Sequence, residues 1–213
     1  VDQSTLTKRY TEEAVRFIND HKEKPFFLYL PHTFPHVPLY VSPAFKGRTN
    51  TLFGDVMEEL DWSVGEVLKT VKDQGLDQKT LVLFTSDNGA HQGSAGILRG
   101  KKATMYEGGF RVPCIARWPG KIPAGHVTDE MAATVDMLPT FAKLAGGAAP
   151  DDRPIDGKDI RPLLFGEPGA KTPHEHYLFP HNQGALRSGN WKFYPWPEGG
   201  DKKKKEKDKA DPP

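Results

Sequence analysis

The chain has 213 residues, of which 37% are hydrophobic and 27% charged, a composition that favours one sizeable domain with room for a small appendage. Its 29 lysines and arginines nearly balance 28 aspartates and glutamates, which argues against a nucleic-acid binder with a broad basic face. The single cysteine excludes an internal disulfide, and no stretch approaches the roughly 20 apolar residues of a membrane span.

The first part of the chain predicts helices that alternate with short buried strands. Apolar residues at helical spacing predict one helix over 6–21 and a longer one over about 50–74. Between them, residues 26–30 form a continuous apolar run, which predicts a strand buried on both faces, as in a parallel sheet. A proline-rich loop, 31–42, follows this strand.

The middle of the chain continues the same alternation. A second doubly buried strand is predicted over 81–84, and a glycine-rich loop then runs to Gly109. A third strand over 112–118 and a helix over 131–144 complete the series. This order of elements predicts an α/β sandwich, in which ligands bind at the carboxyl ends of the parallel strands.

The end of the chain has a different character. Short strands are predicted over 176–179, 184–188 and 191–194, with a tight turn between the last two. We therefore expect an α/β core over 1–150, a small antiparallel subdomain over 151–200 and a disordered Lys-rich tail over 201–213.

Asp87 and Asn88 directly follow the second predicted strand. Their hard oxygen donors suit Ca²⁺, and less well Mg²⁺, although Asp-Asn-Gly is also a common turn sequence. His36 lies past the end of the preceding strand and is a candidate proton donor, with His32 as its competitor. Two loops would thus meet at one edge of the sheet.

Lys101 and Lys102 lie in the glycine-rich loop, where an ammonium group can neutralise a bound oxyanion. Glu107 and Arg111, further along, could instead form a structural ion pair around a Gly-Gly turn. A cation, a metal site and a proton donor together suit attack on a sulfate or phosphate ester.

The ordered motifs resemble the arylsulfatase type of the sulfatase family, within the alkaline-phosphatase-like superfamily. The resemblance is carried by Thr-Ser-Asp-Asn-Gly at 85–89, Gly-Lys-Lys at 100–102, Tyr-Glu-Gly-Gly-Phe-Arg-Val-Pro at 106–113, Trp-Pro-Gly at 118–120, the strand and histidine loop at 26–39, and the hairpin at 186–192. It implies an α/β/α sandwich with a mostly parallel sheet and a small carboxyl-terminal antiparallel subdomain.

The resemblance also implies roles for individual residues. Asp87 and Asn88 would be two ligands of an active-site Ca²⁺. His36 would contact the sulfate and help to protonate the leaving alcohol, and Lys102 would contact the sulfate, with Lys101 the less favoured register. The substrate would be a sulfated small molecule or carbohydrate, and family analogy suggests a periplasmic or secreted enzyme.

The family's nucleophile is a formylglycine made from the first residue of a Cys/Ser-x-Pro-x-Arg motif, and this sequence contains no such motif. Cys114 is followed by Ile-Ala-Arg, and we expect it to pack in a buried strand. The chain also begins without Met, so we expect the nucleophile and two metal carboxylates upstream of Val1. The chain alone should then be inactive.

Two other functions fit the same residues. A phosphodiesterase or phosphonate hydrolase of the superfamily would differ in its upstream nucleophile. A non-catalytic binding module would keep the sheet without the nucleophile, although missing strands would expose apolar surface and an unpaired sheet edge.

Overall fold

The computed structural model describes residues 2–179 and 184–195. It divides into two compact units. One unit contains the residues up to Leu83 together with Ala116–Lys121, and the other contains Phe84–Ile115 together with the described residues from Ile122 onward. The predicted boundaries at 150 and 200 stay predictions, and the predicted tail over 201–213 lies outside the described residues.

Helices and strands alternate through the described chain. The helices are α1 Leu6–His21, α2 Leu52–Asp73, α3 Glu107–Phe110, α4 Met137–Leu144 and α5 Arg161–Leu164. The strands are β1 Val82–Thr85, β2 Cys114–Arg117, β3 His176–Phe179, β4 Ala185–Ser188 and β5 Trp191–Phe193. β1 pairs with β2, whereas β3, β4 and β5 form a separate antiparallel sheet in that order.

The first unit is built on the packing of α1 against α2. The hydroxyl of Thr11 on α1 donates to the Ser63 hydroxyl on α2 over 2.6 Å, so the two buried polar side chains satisfy one another. The apolar cluster beside this contact consists of Phe34, Val41, Phe45 and Val56. The proline-rich loop is therefore anchored on α2 by its own apolar residues.

Asp55 and Glu59 are buried on α2, a feature that apolar periodicity did not predict. The Asp55 carboxylate accepts the backbone N–H groups of Gly47 and Thr49, each over 2.7 Å. Glu59 accepts the backbone N–H of Ser42 over 2.9 Å. These carboxylates fix the loop that precedes α2, because they accept backbone N–H groups that no helix or strand engages.

Replacing Asp55 by Asn should lower the melting temperature by several degrees at neutral pH. The two backbone donors hold the pKa of Asp55 below its ordinary value, so its contribution to stability is present above the unfolded pKa and is lost as pH falls through the folded pKa. Thermal unfolding followed from pH 7 to pH 2 should show the difference between Asp55→Asn and wild type shrinking in acid.

The matched control for this prediction is Asp73→Asn, at the exposed end of α2. Within the described part of the chain, Asp73 pairs with the exposed Lys69, and such surface pairs contribute little. A difference between wild type and Asp55→Asn that stays constant with pH would contradict the proposed role of the Asp55 charge.

Two predictions, one about a strand and one about a helix, need correction. Residues 26–30 are extended but belong to neither sheet of the described chain, and Phe27 and Tyr29 are 72% and 76% exposed. An apolar run becomes a strand only when a neighbouring strand supplies ladder hydrogen bonds, and no described residue does so here. The predicted helix over 131–144 begins only at Met137, after a 3₁₀ turn at Thr134–Asp136.

The two strands predicted to be buried are less covered than expected. β1 is half-buried along most of its length, and Cys114 at the start of β2 is exposed rather than packed. A two-stranded sheet has one neighbour per strand, so much of each strand stays open to solvent. The three strands predicted near the end of the chain are confirmed as β3, β4 and β5.

Asp136 organises the polypeptide that leads to the carboxyl-terminal sheet. Its fully buried carboxylate accepts the backbone N–H of Ala133 over 2.7 Å and that of Lys158 over 2.8 Å. The Nε2 atom of the buried His174 lies 2.8 Å from the same carboxylate. One side chain thereby joins three segments that are distant in sequence.

Candidate active site

Asp87 and Asn88 form a turn directly after β1, as the sequence predicts. The Ser86 hydroxyl donates to the Asn88 carbonyl oxygen over 3.0 Å and so closes the turn. Asp87 is exposed and Asn88 is half-buried. Neither side chain hydrogen-bonds to another described residue, so the oxygen atoms of both are available to a ligand at the end of this strand.

The glycine-rich loop is locked onto this turn by backbone hydrogen bonds. Gly89 donates to the Gly109 carbonyl over 3.0 Å, and Lys102 donates to the Ala90 carbonyl over 2.9 Å. Within the loop, Gly108 donates to the Arg99 carbonyl over 2.8 Å. The structure therefore brings Lys102 next to the Asp87–Asn88 turn, although the two are separated by a long stretch of chain.

Three glycines permit this close approach. A Cβ on Gly89 would lie 2.0 Å from the Gly108 carbonyl oxygen, and one on Gly108 would lie 2.3 Å from the Gly100 carbonyl oxygen. A Cβ on Gly109 would lie 2.4 Å from the Thr104 carbonyl oxygen. Backbone contacts at these distances leave no room for any side chain, which explains why glycine is needed at each position.

Lys101 and Lys102 differ in their surroundings. Lys101 is exposed, and its backbone forms a turn with Thr104, whose hydroxyl donates to the Lys101 carbonyl over 2.7 Å. Lys102 is half-buried and precedes Ala103, which has a φ of 69° in the left-handed region. The two adjacent lysines therefore differ in burial, and Lys102 is the less exposed of them.

The sequence suggested that Glu107 could form an ion pair with Arg111, but the two residues do not pair in the structure. Its carboxylate instead receives Arg187 Nη1 over 3.2 Å and Lys192 Nζ over 2.8 Å, from β4 and β5. Burial lowers the pKa of Lys192, and the hydrogen bond to Glu107 opposes that shift. Sequence reasoning missed this cluster, although the predicted hairpin placed two cations near one another.

His36 and His32 lie in the first unit and have opposite environments. His36 is exposed, and its Nδ1 lies 2.7 Å from the Val37 carbonyl oxygen. His32 is partly buried beside Ser63, and burial lowers its pKa, which favours a neutral imidazole. The sequence ranked His36 above His32, and the exposure of His36 leaves it free to meet a ligand.

Cys114 lacks the features of a nucleophile. Partial desolvation raises the pKa of its thiol even though the side chain reaches solvent, so the reactive thiolate is disfavoured. Among the described residues, no group of three or more His, Cys, Asp or Glu side chains could hold a metal ion. Asp87 and Asn88 therefore fit a cation only as part of a larger set of ligands.

A family model of the sulfatases matches residues 2–148. The chain belongs to the sulfatase family. It is 43% identical over 198 residues to human steryl-sulfatase, and the matched region covers 87% of this chain and 34% of that protein. It is 40% identical over 211 residues to bovine arylsulfatase A, covering 91% of this chain and 41% of that protein.

The fold agrees with this assignment. A solved sulfatase from Pseudoalteromonas sp. superimposes with a TM-score of 0.81 and 31% sequence identity, covering 90% of this chain and 40% of that one. The predicted fold class, an alkaline-phosphatase-like α/β architecture with a small antiparallel subdomain, is thus confirmed. The chain spans about a third of the length of the steryl-sulfatases it matches.

Among the residues that the structure describes, no helix has the length and apolar character that crossing a bilayer demands.

Proposed function

We propose that this chain is the carboxyl-side portion of a sulfuric ester hydrolase that uses Ca²⁺. The observation that carries the proposal is the interlocked pair of loops, which places the Asp87–Asn88 turn beside Lys102. An anionic ester would there meet a cation held by the Asp87–Asn88 turn together with the ammonium group of Lys102, and both of these positive charges would oppose the charge of a sulfate. Membership of the sulfatase family supports the same chemistry.

Asp87 and Asn88 would contribute two oxygen ligands to the cation. Ca²⁺ takes six to eight oxygen ligands in flexible geometry, and Mg²⁺ demands a stricter octahedron, so an adjacent carboxylate and amide suit Ca²⁺ better. When bound, Ca²⁺ would supply positive charge at the sulfate oxygens. The remaining ligands would come from other parts of the protein.

Lys102 and His36 would act on the ester itself. Lys102 would neutralise a sulfate oxygen as a point charge, and its half-buried position strengthens that interaction relative to water. His36 would donate a proton to the leaving alcohol. Its Nδ1 faces the Val37 carbonyl, which can only accept, so Nδ1 carries a proton and Nε2 is the atom that would exchange the second one.

The nucleophile would lie on polypeptide upstream of this chain. No cysteine or serine of this sequence starts a Cys/Ser-x-Pro-x-Arg motif, and the matched relatives are about three times longer. We propose a formylglycine in that upstream part, with a periplasmic or secreted parent enzyme.

The substrate would be a sulfated small molecule or carbohydrate. A structural neighbour with a TM-score of 0.51 and 26% identity is solved with its substrate, D-glucosamine-2-N,6-O-disulfate. That complex supports a sulfated sugar as the first substrate class to test.

The test is release of inorganic sulfate by the full-length protein that carries this chain. We expect turnover of an aryl sulfate, loss of turnover after treatment with a calcium chelator, and recovery on addition of Ca²⁺. The matched aryl phosphate should react far more slowly. The 213-residue chain by itself should be inactive. Faster cleavage of the phosphate, or full turnover by the chain alone, would refute the proposal.

A further inference from the structure

The hairpin of β4 and β5 places two cations side by side. Arg187 and Lys192 are direct cross-strand partners in the antiparallel register. Like charges directly opposite one another destabilise a sheet unless an anion lies between them. Glu107 is that anion, and the side chains of Glu107, Arg187 and Lys192 are only 24%, 25% and 11% exposed.

Glu107 stabilises the charged form of the mostly buried Lys192. Its Nζ lies 3.2 Å from the centroid of the Phe179 ring, and burial opposes the charge. The Glu107 carboxylate at 2.8 Å is the acceptor that offsets this burial. Removing the carboxylate would leave a mostly buried ammonium group with the rings of Phe179 and Tyr194 but without its anion, which costs more than the loss of a surface ion pair.

Aromatic contacts on both sides of Glu107 also join the glycine-rich loop to the carboxyl-terminal sheet. Tyr106 packs against Tyr194 with ring centroids 5.3 Å apart, and Phe110 packs against Phe179 at 4.8 Å. Glu107 therefore lies at the centre of a joint between the glycine-rich loop and the carboxyl-terminal sheet.

The joint is connected to Lys102 through the backbone. Glu107 is the first residue of α3, and the next residue, Gly108, donates to the Arg99 carbonyl over 2.8 Å. Gly109 accepts from Gly89 over 3.0 Å, and Lys102 donates to Ala90 over 2.9 Å. A shift of Glu107 would thus move both ends of the loop that carries Lys102.

We propose that Glu107 is a positioning residue for Lys102, because it fixes the glycine-rich loop against the carboxyl-terminal sheet through Arg187 and Lys192. This inference rests on the proposed function for its catalytic consequence. Its structural part, the restraint of the loop, can be measured without any substrate.

The first test is amide hydrogen exchange of the full-length protein. Glu107→Gln should raise the exchange rate of the Lys102 and Gly108 amides at least tenfold, since both belong to the loop that the carboxylate restrains. The matched control is Glu130→Gln. Glu130 is 23% exposed and also holds a lysine, Lys171, but it makes no hydrogen bond to the loop.

The second test is a double-mutant cycle with Lys102→Met. We expect Glu107→Gln to lower kcat/KM by about tenfold to a hundredfold in the wild-type background, as misplacement of a binding group does, and to have no further effect in Lys102→Met. Glu130→Gln should leave kcat/KM unchanged. Arg187→Gln removes one of the two cations and should lower kcat/KM in the same way by a smaller factor. It replaces Glu107→Gln in the test if that variant does not fold.

The outcomes separate the two proposals. Unchanged exchange at Lys102 in Glu107→Gln would overturn the positioning role, whatever the activity. An equal loss of kcat/KM in both backgrounds would show that Glu107 does not act through Lys102 and would also overturn it. Full activity of Lys102→Met would instead refute the role of Lys102 in the proposed function.

Discussion

Replacing Gly89 by alanine should destabilise the full-length protein by about 3 kcal/mol or more and abolish most of the sulfatase activity proposed for it. The new Cβ would lie 2.0 Å from the Gly108 carbonyl oxygen and 2.7 Å from the Gly109 carbonyl carbon. Both atoms belong to backbone, so no side-chain rotation relieves the contact. The Asp87–Asn88 turn would have to separate from the glycine-rich loop.

Denaturant unfolding and initial rates of sulfate release would measure the two effects. A displacement of about 1 Å at a site of this kind costs on the order of a hundredfold in rate. The activity should therefore fall even under conditions where Gly89→Ala remains folded.

Gly65→Ala is the matched control for this substitution. Gly65 lies inside α2, and a Cβ there would meet no atom within 4 Å. Alanine is favoured over glycine in a helix interior by about 0.5–1 kcal/mol, so Gly65→Ala should be neutral or stabilising. If Gly89→Ala were as stable and active as Gly65→Ala, the close packing of the two loops would not exist in the protein.

Lys102→Met should lower kcat/KM of the full-length enzyme for a sulfate ester by about a hundredfold to a thousandfold. That range is typical for the loss of one group that stabilises developing negative charge in an acyl-transfer site, and Lys102 would play the corresponding part at sulfur. Methionine keeps most of the side-chain volume, so the change isolates the charge. Steady-state rates and thermal unfolding of the same samples would separate activity from folding.

The neighbouring lysine provides the control. Lys101 is exposed, whereas Lys102 is half-buried. Lys101→Met should change kcat/KM by less than about twofold, as expected for a surface substitution. The reverse result, with Lys101 essential and Lys102 dispensable, would show that the register of the motif is shifted by one residue.

Local patterns predicted the two long helices, α1 and α2, well. Periodicity placed α1 at its observed bounds and α2 within two residues at its start and one at its end. The hairpin of β4 and β5 followed from a tight turn between two short runs. These features depend on neighbours within a few residues, so the sequence alone contains the information that sets them.

The buried polar groups could not be predicted in this way. Asp55, Glu59 and Asp136 are charged residues at buried positions, and hydropathy assigns such residues to the surface. Each is buried because it accepts backbone N–H groups from a distant segment, a fact that only the folded arrangement reveals. The same limitation concealed the partners of Glu107.

The sequence alone indicated the family of the chain but not how the candidate residues are brought together. Several ordered motifs along the chain, among them those that contain Asp87, Asn88 and Lys102, together resembled the sulfatases. Which lysine is enclosed, and what restrains it, depended on hydrogen bonds between residues far apart in the chain. Residue types determine the available chemistry, but the backbone hydrogen bonds and ion pairs of the folded chain determine where each group lies.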